Sequence, residues 1–318
     1  MRQKMLLMER GRMLKMKLVM TKEMNLQMTR TTVVLLHSYL DRAHMPLEVK
    51  SGMFHVTLKP QTFTRRAILS IVASVYDPIG FLAPFIFTAK YILQELCKLS
   101  CGWDDEIPSA YHLKWQQWLV GLRQMESYKV NRCIKPKSFG AVASAQLHNF
   151  CDASEVGYGV VTYLRLTNTE DAVHTAFLFG KTRVAPLKRV TIPRLELTAA
   201  MLAVKIDKML KTELQTPLAN SVFWTDSTSV LKYIRNDTKR FQTFVANRVG
   251  VIRESTDIDQ WRHIATERNP ADLASRALRP SASLHSSPRL QRSILTQPIR
   301  GSPQAGPAAG SCLGPAAA

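Results

Sequence analysis

Apolar and polar positions along this chain follow a helical period first and an alternating period later. His55-Val-Thr-Leu58 alternates like a short strand. Thr64 then precedes an apolar helix, Arg65 to Tyr76, which Asp77-Pro78-Ile-Gly80 breaks. A second helix is predicted from about Pro84 to Leu99, with Phe85, Phe87, Ile92 and Leu93 facing a core. Trp103 to Pro108 reads as a loop. Ser109 can cap a third helix through Trp115, Trp118, Leu119 and Leu122. Residues 64–126 therefore read as a small helical unit whose aromatics form its core. Val130 to Ala145 reads as a linker. Strands are then predicted over 147–152, 158–165 and 174–181, joined by short connections. Pro193 sits where first-turn prolines sit, and a helix runs from it to about Leu214. Leu195, Leu202, Ile206 and Met209 mark its apolar stripe, and Ala199, Ala200 and Ala203 give it a thin face. Next come a strand over 221–226, a short helix through Val230, Leu231 and Ile234, and a helix over 241–254 with Phe244, Val245, Val249 and Ile252 inward. A strand over 259–265 follows, and Asn269 caps a last helix ending near Leu278. The order β-β-β-α-β-α-α-β-α predicts an α/β fold: a mixed five-stranded sheet with flanking helices, preceded by the helical unit.

The ends have a different character. Residues 1–53 are basic and hold eight methionines in the first 28 positions, without a clean apolar stripe, which predicts poor order. Residues 280–318 are dominated by Ser, Pro, Gly and Ala and predict a disordered tail. The four segments expected are thus 1–53, 54–130, 146–279 and 280–318. A formal charge of +19 favours a phosphate-rich partner through counterion release. The five cysteines form no disulfide framework, which points to a reducing, intracellular setting. Asp77-Pro78, Gly80, Pro84 and Lys90 interrupt the most apolar region, so no membrane span is expected.

Four acids stand at distinctive places. Asp152 ends the apolar run Leu147-His-Asn-Phe-Cys-Asp152, and Asp226 ends Ser221-Val-Phe-Trp-Thr-Asp226. Glu196 lies one turn into the long helix, and Asp272 lies in Asn269-Pro-Ala-Asp272 at a helix start. Each has a plain structural explanation alone: an Asx-turn, a solvated face, a cap, a dipole contact. Together, carboxylates at two strand ends and two helix starts can meet in space. There they would repel one another unless cations joined them. Oxygen-only sites suit Mg²⁺ or Mn²⁺, and two such ions about 4 Å apart drive in-line attack on a phosphodiester.

Phe150-Cys-Asp-Ala-Ser154, Ile192-Pro-Arg-Leu-Glu-Leu-Thr-Ala-Ala200, Phe223-Trp-Thr-Asp-Ser227 and Asn269-Pro-Ala-Asp-Leu-Ala-Ser-Arg276 resemble the ribonuclease H region of BEL/Pao-type LTR-retrotransposon polyproteins. Ser74-Val-Tyr-Asp-Pro-Ile-Gly-Phe-Leu-Ala-Pro84, Cys101-Gly-Trp-Asp104 and Phe244-Val-Ala-Asn-Arg-Val249 belong to the same pattern. The first two of these, upstream of the ribonuclease H region, are similar to the segment that joins it to the reverse transcriptase. The resemblance covers about residues 54–279. It implies a ribonuclease H-like fold and a two-metal site of Asp152, Glu196, Asp226 and Asp272, with Asp152 shared between two Mg²⁺ or Mn²⁺ ions. Glu196 and Asp226 would complete the first ion's site, and Asp272 would help hold the second. The implied activity is hydrolysis of the RNA strand of an RNA–DNA hybrid, and the implied partners are that hybrid and a reverse-transcriptase polyprotein. Lys181, Arg183, Lys188, Arg189 and Arg194 form a basic run toward Glu196 and are candidate phosphate contacts, with a solvated face as the alternative. His263 falls inside a strand pattern, which points to a structural role. No paired palm aspartates are present, so polymerase activity is not expected, and the chain reads as a fragment or derived copy. The rival reading is a catalytically inactive nucleic-acid-binding transposon relic.

Overall fold

Thr64 accepts a hydrogen bond from the Ala67 amide, and the first helix, α1 (Arg65–Ser74), starts there. The computed structural model describes residues 63–125, 134–214, 216–238 and 240–276. The expected strand over 55–58, the segment 1–53 and the tail 280–318 lie outside the described residues, and the last helix ends at Ser275, short of the expected Leu278, because Arg276 is extended. Helix α2 (Ala83–Lys98) begins with Pro84 in its first turn, and α3 (Ser109–Met125) follows. Asp77 joins α1 to α2: its two carboxyl oxygens accept the Phe81 and Leu82 amides, each at 2.8 Å. Trp118 stacks between Phe85 and Trp115 and donates its indole N–H to the Phe85 carbonyl. Both tryptophans are buried, as expected of core aromatics.

The sheet comprises β1 (Val142–Ala153), β2 (Gly157–Asn168), β3 (Val173–Val184), β4 (Ala219–Thr225) and β5 (Trp261–His263), in the order β3-β2-β1-β4-β5. β1, β2 and β3 pair antiparallel; β4 pairs parallel to both β1 and β5. Parallel neighbours require crossovers, supplied by α4 (Ile192–Glu213), α5 (Thr228–Arg235) and α6 (Thr243–Arg253). The expected element order and mixed five-stranded sheet are present.

Boundaries differ where pairing overrides pattern. Strand β1 begins at Val142, inside the expected linker, because the ladder with β2 takes in its exposed first residues. Strand β3 runs on to Val184 because Lys181–Val184 pair with Gly157–Val160. Strand β5 is shorter than 259–265: Asp257 and Gln260 form a capping box that winds Ile258–Gln260 into a 3-10 turn. Ser109 is the first residue of α3 rather than its flanking cap.

One sheet face carries Leu147, Cys151, Val160 and Phe223 against Leu197, Ala200, Ala203 and Ile206 of α4. The three alanines predicted to form a thin face are fully buried there, letting the helix approach closely. The other face carries Phe150, Val161 and Tyr163 against Ile264, Ala271 and Ala274. The short helix α7 (Asp272–Ser275) lies on that face. Gly159 of β2 leaves room for it, since a Cβ there would stand 2.6 Å from the Ala274 side chain.

The helical unit is bound to the same sheet. Gly180 of β3 donates its amide to the Ile79 carbonyl, and Thr182 donates its hydroxyl to the Ala83 carbonyl. Gly80 sits at φ +75°, where a Cβ would lie 1.7 Å from the Gly180 carbonyl oxygen. Only glycine meets both demands.

Candidate active site

Asp152 and Asp226 stand at or just past the same end of adjacent strands, because β1 and β4 run parallel and Cys151 pairs with Thr225. Glu196 enters from the first turns of α4, which begins at Ile192. Asp272 is the first residue of α7. Asn269 does not cap that helix, as the sequence pattern had it. Its amide donates to the Cys151 carbonyl, and its side-chain oxygen accepts the Ala271 amide, leaving Ala271 as the flanking residue. That bond ties the approach to α7 directly to the residue before Asp152.

Each carboxylate has a protein donor of its own. The Ser275 hydroxyl donates to Asp152 at 2.5 Å, and the Ser227 hydroxyl donates to Glu196 at 2.5 Å. The Thr266 hydroxyl donates to Asp226 at 2.9 Å, and Arg276 pairs with Asp272 at 2.7 Å. Ser154 extends the set: its hydroxyl donates to the Ser275 carbonyl at 2.6 Å, linking the turn after β1 to α7. Ser227 therefore has two roles, since it also accepts the Val230 amide at the start of α5.

The four acids feel one another. Burial raises Asp152 to about 7, with the Asp226 and Asp272 charges adding to the effect and the Ser275 bond opposing it. Burial also raises Glu196, opposed by Ser227 and reinforced by Asp226. Asp272 is raised by burial, opposed by Arg276 and reinforced by Asp226. Asp226 is thus the common electrostatic neighbour of the other three. A cluster of this kind holds protons, or a cation, more readily than isolated surface acids do.

The donor chemistry is all carboxylate oxygen and fits a hard divalent cation such as Mg²⁺ or Mn²⁺. Among the described residues, however, no three His, Cys, Asp or Glu side chains converge closely enough to hold one ion as they stand. An ion would have to draw the carboxylates together and away from some of their present donors.

The basic residues are divided by the fold. Lys181 lies in β3, as the strand expected over 174–181 has it, and Arg183 joins it there because the ladder to β2 continues through both. Lys188 and Arg189 are exposed in the connection to α4. Arg194 is exposed in the first turn of α4, hydrogen-bonded to Gln242 and set over the Phe244 ring. Phe244 is half-buried rather than inward, since Arg248 covers its face at 3.4 Å. His263 is exposed beside the site, with Nε2 3.2 Å from the Asp226 carbonyl oxygen. The sequence pattern did not reveal Ser275, Thr266 or Arg276 as carboxylate partners. Their one local signal is the spacing of Ser275 and Arg276 three and four residues after Asp272, which places them one helical turn away.

Among the described residues no helix is long and apolar enough to cross a membrane. Cys97, Cys101 and Cys151 carry free thiols.

A search of curated proteins finds no match. The chain is similar to ribonuclease H1 from the halophilic archaeon Halobacterium salinarum NRC-1: 13% identity over 42% of this chain and 97% of that one, TM-score 0.29. It is similar to LC11-RNase H1, solved in complex with an RNA/DNA hybrid, at 14% identity over 41% of this chain and 93% of that one, TM-score 0.28. Similarity to the prototype foamy virus protease–reverse transcriptase is 13% over 48% of this chain and 20% of that one, TM-score 0.25. The family described as the Pao retrotransposon-like RNaseH-like domain matches residues 64–227, just over half of the chain, spanning the helical unit and Asp152, Glu196 and Asp226. The chain belongs to that Pao retrotransposon family of ribonuclease H-like domains.

Proposed function

We propose that this chain is a divalent-metal-dependent endonuclease of ribonuclease H type that hydrolyses the RNA strand of RNA–DNA hybrids. The observation that carries the reading is that Asp152 and Asp226 stand at the same end of adjacent parallel strands, with Glu196 and Asp272 near enough to feel the Asp226 charge. Asp152, Glu196 and Asp226 would hold one ion, and Asp152 with Asp272 a second. Ions bound there would lower the pKa of a coordinated water and stabilise the leaving 3′-oxygen. The chain's own residues supply the rest. Ser275, Ser227 and Thr266 orient the carboxylates, and the side chains packed beneath Asp152 keep bulk water from that side. Lys181, Arg183, Lys188, Arg189 and Arg194 line the approach as phosphate contacts. Discrimination for RNA would come from contacts to the 2′-hydroxyl.

A second reading, a nucleic-acid-binding relic without catalysis, is favoured by one observation: each carboxylate is already held by its own protein donor. The test is incubation of the full chain with a hybrid labelled on its RNA strand, in Mg²⁺ or Mn²⁺. Internal RNA cuts are expected. Asp226→Asn is expected to reduce them by about 10²-fold or more, the scale lost with one preorganised electrostatic group. Folded protein that binds the hybrid and leaves the RNA intact would sink the catalytic reading in favour of the relic.

A further inference from the structure

We propose that Ser154 is the positioning residue of the second ion's site: through the Ser275 carbonyl it anchors α7, and with it Asp272, to the end of β1 that carries Asp152. The proposal rests on the two-ion reading above and adds what fixes the spacing of the Asp152–Asp272 pair.

Helix α7 does not fix its own place. It has four residues, Ala271 gives it no side-chain cap, and Arg276 after it is extended. A helix that short gains too few internal bonds to offset its nucleation. Its position is therefore set by what it touches. Gly159 of β2 lets Ala274 come close, since a Cβ there would stand 2.6 Å from the Ala274 side chain. Hydrogen bonds tie the helix and the chain before it to the end of β1 and the turn that follows. Asn269 donates to the Cys151 carbonyl at 3.1 Å, the Ser275 hydroxyl donates to Asp152 at 2.5 Å, and the Ser154 hydroxyl donates to the Ser275 carbonyl at 2.6 Å.

These bonds differ in what an ion does to them. The Asn269 bond holds the chain ahead of α7. The Ser275 bond occupies an oxygen of Asp152, and an ion that takes that oxygen displaces it. The displaced hydroxyl is not stranded, because the Asp272 carbonyl lies 3.0 Å away as a second acceptor. The Ser154 bond ends on a backbone carbonyl and touches no carboxylate, so it outlasts the exchange. Helix α7 stays anchored while Asp152 and Asp272 close on the ion.

Ser154 is itself well held. Its amide donates to the Gly157 carbonyl at 2.7 Å, and its hydroxyl accepts the Val156 amide at 3.3 Å. It follows Asp152 by two positions, so anchor and ligand ride on one strand end. Groups that orient metal ligands without touching the metal typically change its affinity by roughly 10- to 100-fold.

The test is a Mn²⁺ titration of the full chain without nucleic acid, followed by the electron paramagnetic resonance signal of the free ion. The parent is expected to take up two ions, and Asp272→Asn marks the component that belongs to the second. Ser154→Ala is expected to weaken that component about tenfold and to leave the first near its parent affinity. Ser154→Thr, which keeps the hydroxyl, is expected to restore it. Ser154→Cys keeps the volume and weakens the donor; it is expected to fall between, and it reads the same affinity should Ser154→Ala not fold. A parent-like second component in Ser154→Ala would overturn the anchor and leave the two-ion reading standing. An equal loss at both components would overturn it as well, since general loosening of the fold does not select one ion. A parent chain that takes up fewer than two ions would overturn the two-ion reading and the anchor together.

Discussion

At the scale of single residues, buried acids govern how the molecule answers pH. Asp77 is buried, and burial raises its carboxyl from the ordinary 3.8 to about 6, against the pull of the Leu82, Phe81 and Gly80 amides and Lys90. Below the unfolded value the group is protonated in both states, and its contribution to stability is full. As pH rises through 3.8 the unfolded chain releases this proton while the folded chain keeps it, so folding is progressively disfavoured until about pH 6 is passed. Asp77→Asn removes this dependence. The stability advantage of the parent over the variant, from urea unfolding between about pH 4 and pH 7, is expected to be greatest at the acid end and to shrink toward neutrality. An advantage that grew with pH would mean the ionised form is the one the fold prefers. The same physics holds Asp152, Glu196 and Asp272 above their ordinary range, with the added repulsion of Asp226.

At the scale of elements, close backbone approach sets how the helical unit meets the sheet. Gly80 and Gly180 touch backbone to backbone, and Gly80 also holds a left-handed φ. Gly80→Ala therefore combines strain with a collision that no side-chain motion relieves. It is expected to destabilise the protein by about 3 kcal/mol in denaturant unfolding, among the larger single-site effects. A change within about 0.5 kcal/mol, ordinary for a surface site, would show that the junction yields easily. Strand ends teach a related lesson. Val142–Ser144 and Thr182–Val184 are strand because a neighbour offers a ladder, so their own alternation was no guide. Trp261–His263 is short because a capping box takes the residues before it.

At the scale of the whole molecule, the helical unit and the sheet share buried surface. Phe81 meets Phe177 edge to face, and Phe87 packs on Gly157. The division at residues 130–146 is therefore a division of sequence, across which packing is continuous. A chain beginning at residue 134 would expose Phe177 and the sheet surface beside α7. It is expected to bind a hydrophobic dye and to lose the cooperative unfolding of the full chain. Sharp unfolding with no dye binding would show instead that the sheet domain stands alone. The match of one family across residues 64–227 is in keeping with a unit inherited together.

The sequence by itself determined the element order, the sheet class, the core of the helical unit and the candidate acids. Apolar periodicity, capping residues and helix breakers are local, and they act through the few residues around them. Phe150-Cys-Asp152 and Phe223-Trp-Thr-Asp226 carried both the strand and the acid in one short run. Only the tertiary structure decided which donor holds which acid. Ser275 lies 123 positions from the Asp152 it binds, and Thr266 lies 40 from Asp226, so no window of sequence contains either pair. It also split the basic run, giving Lys181 and Arg183 to an edge strand. A register between strands depends on the partner's backbone, and a hydrogen bond between distant residues exists only once both are packed.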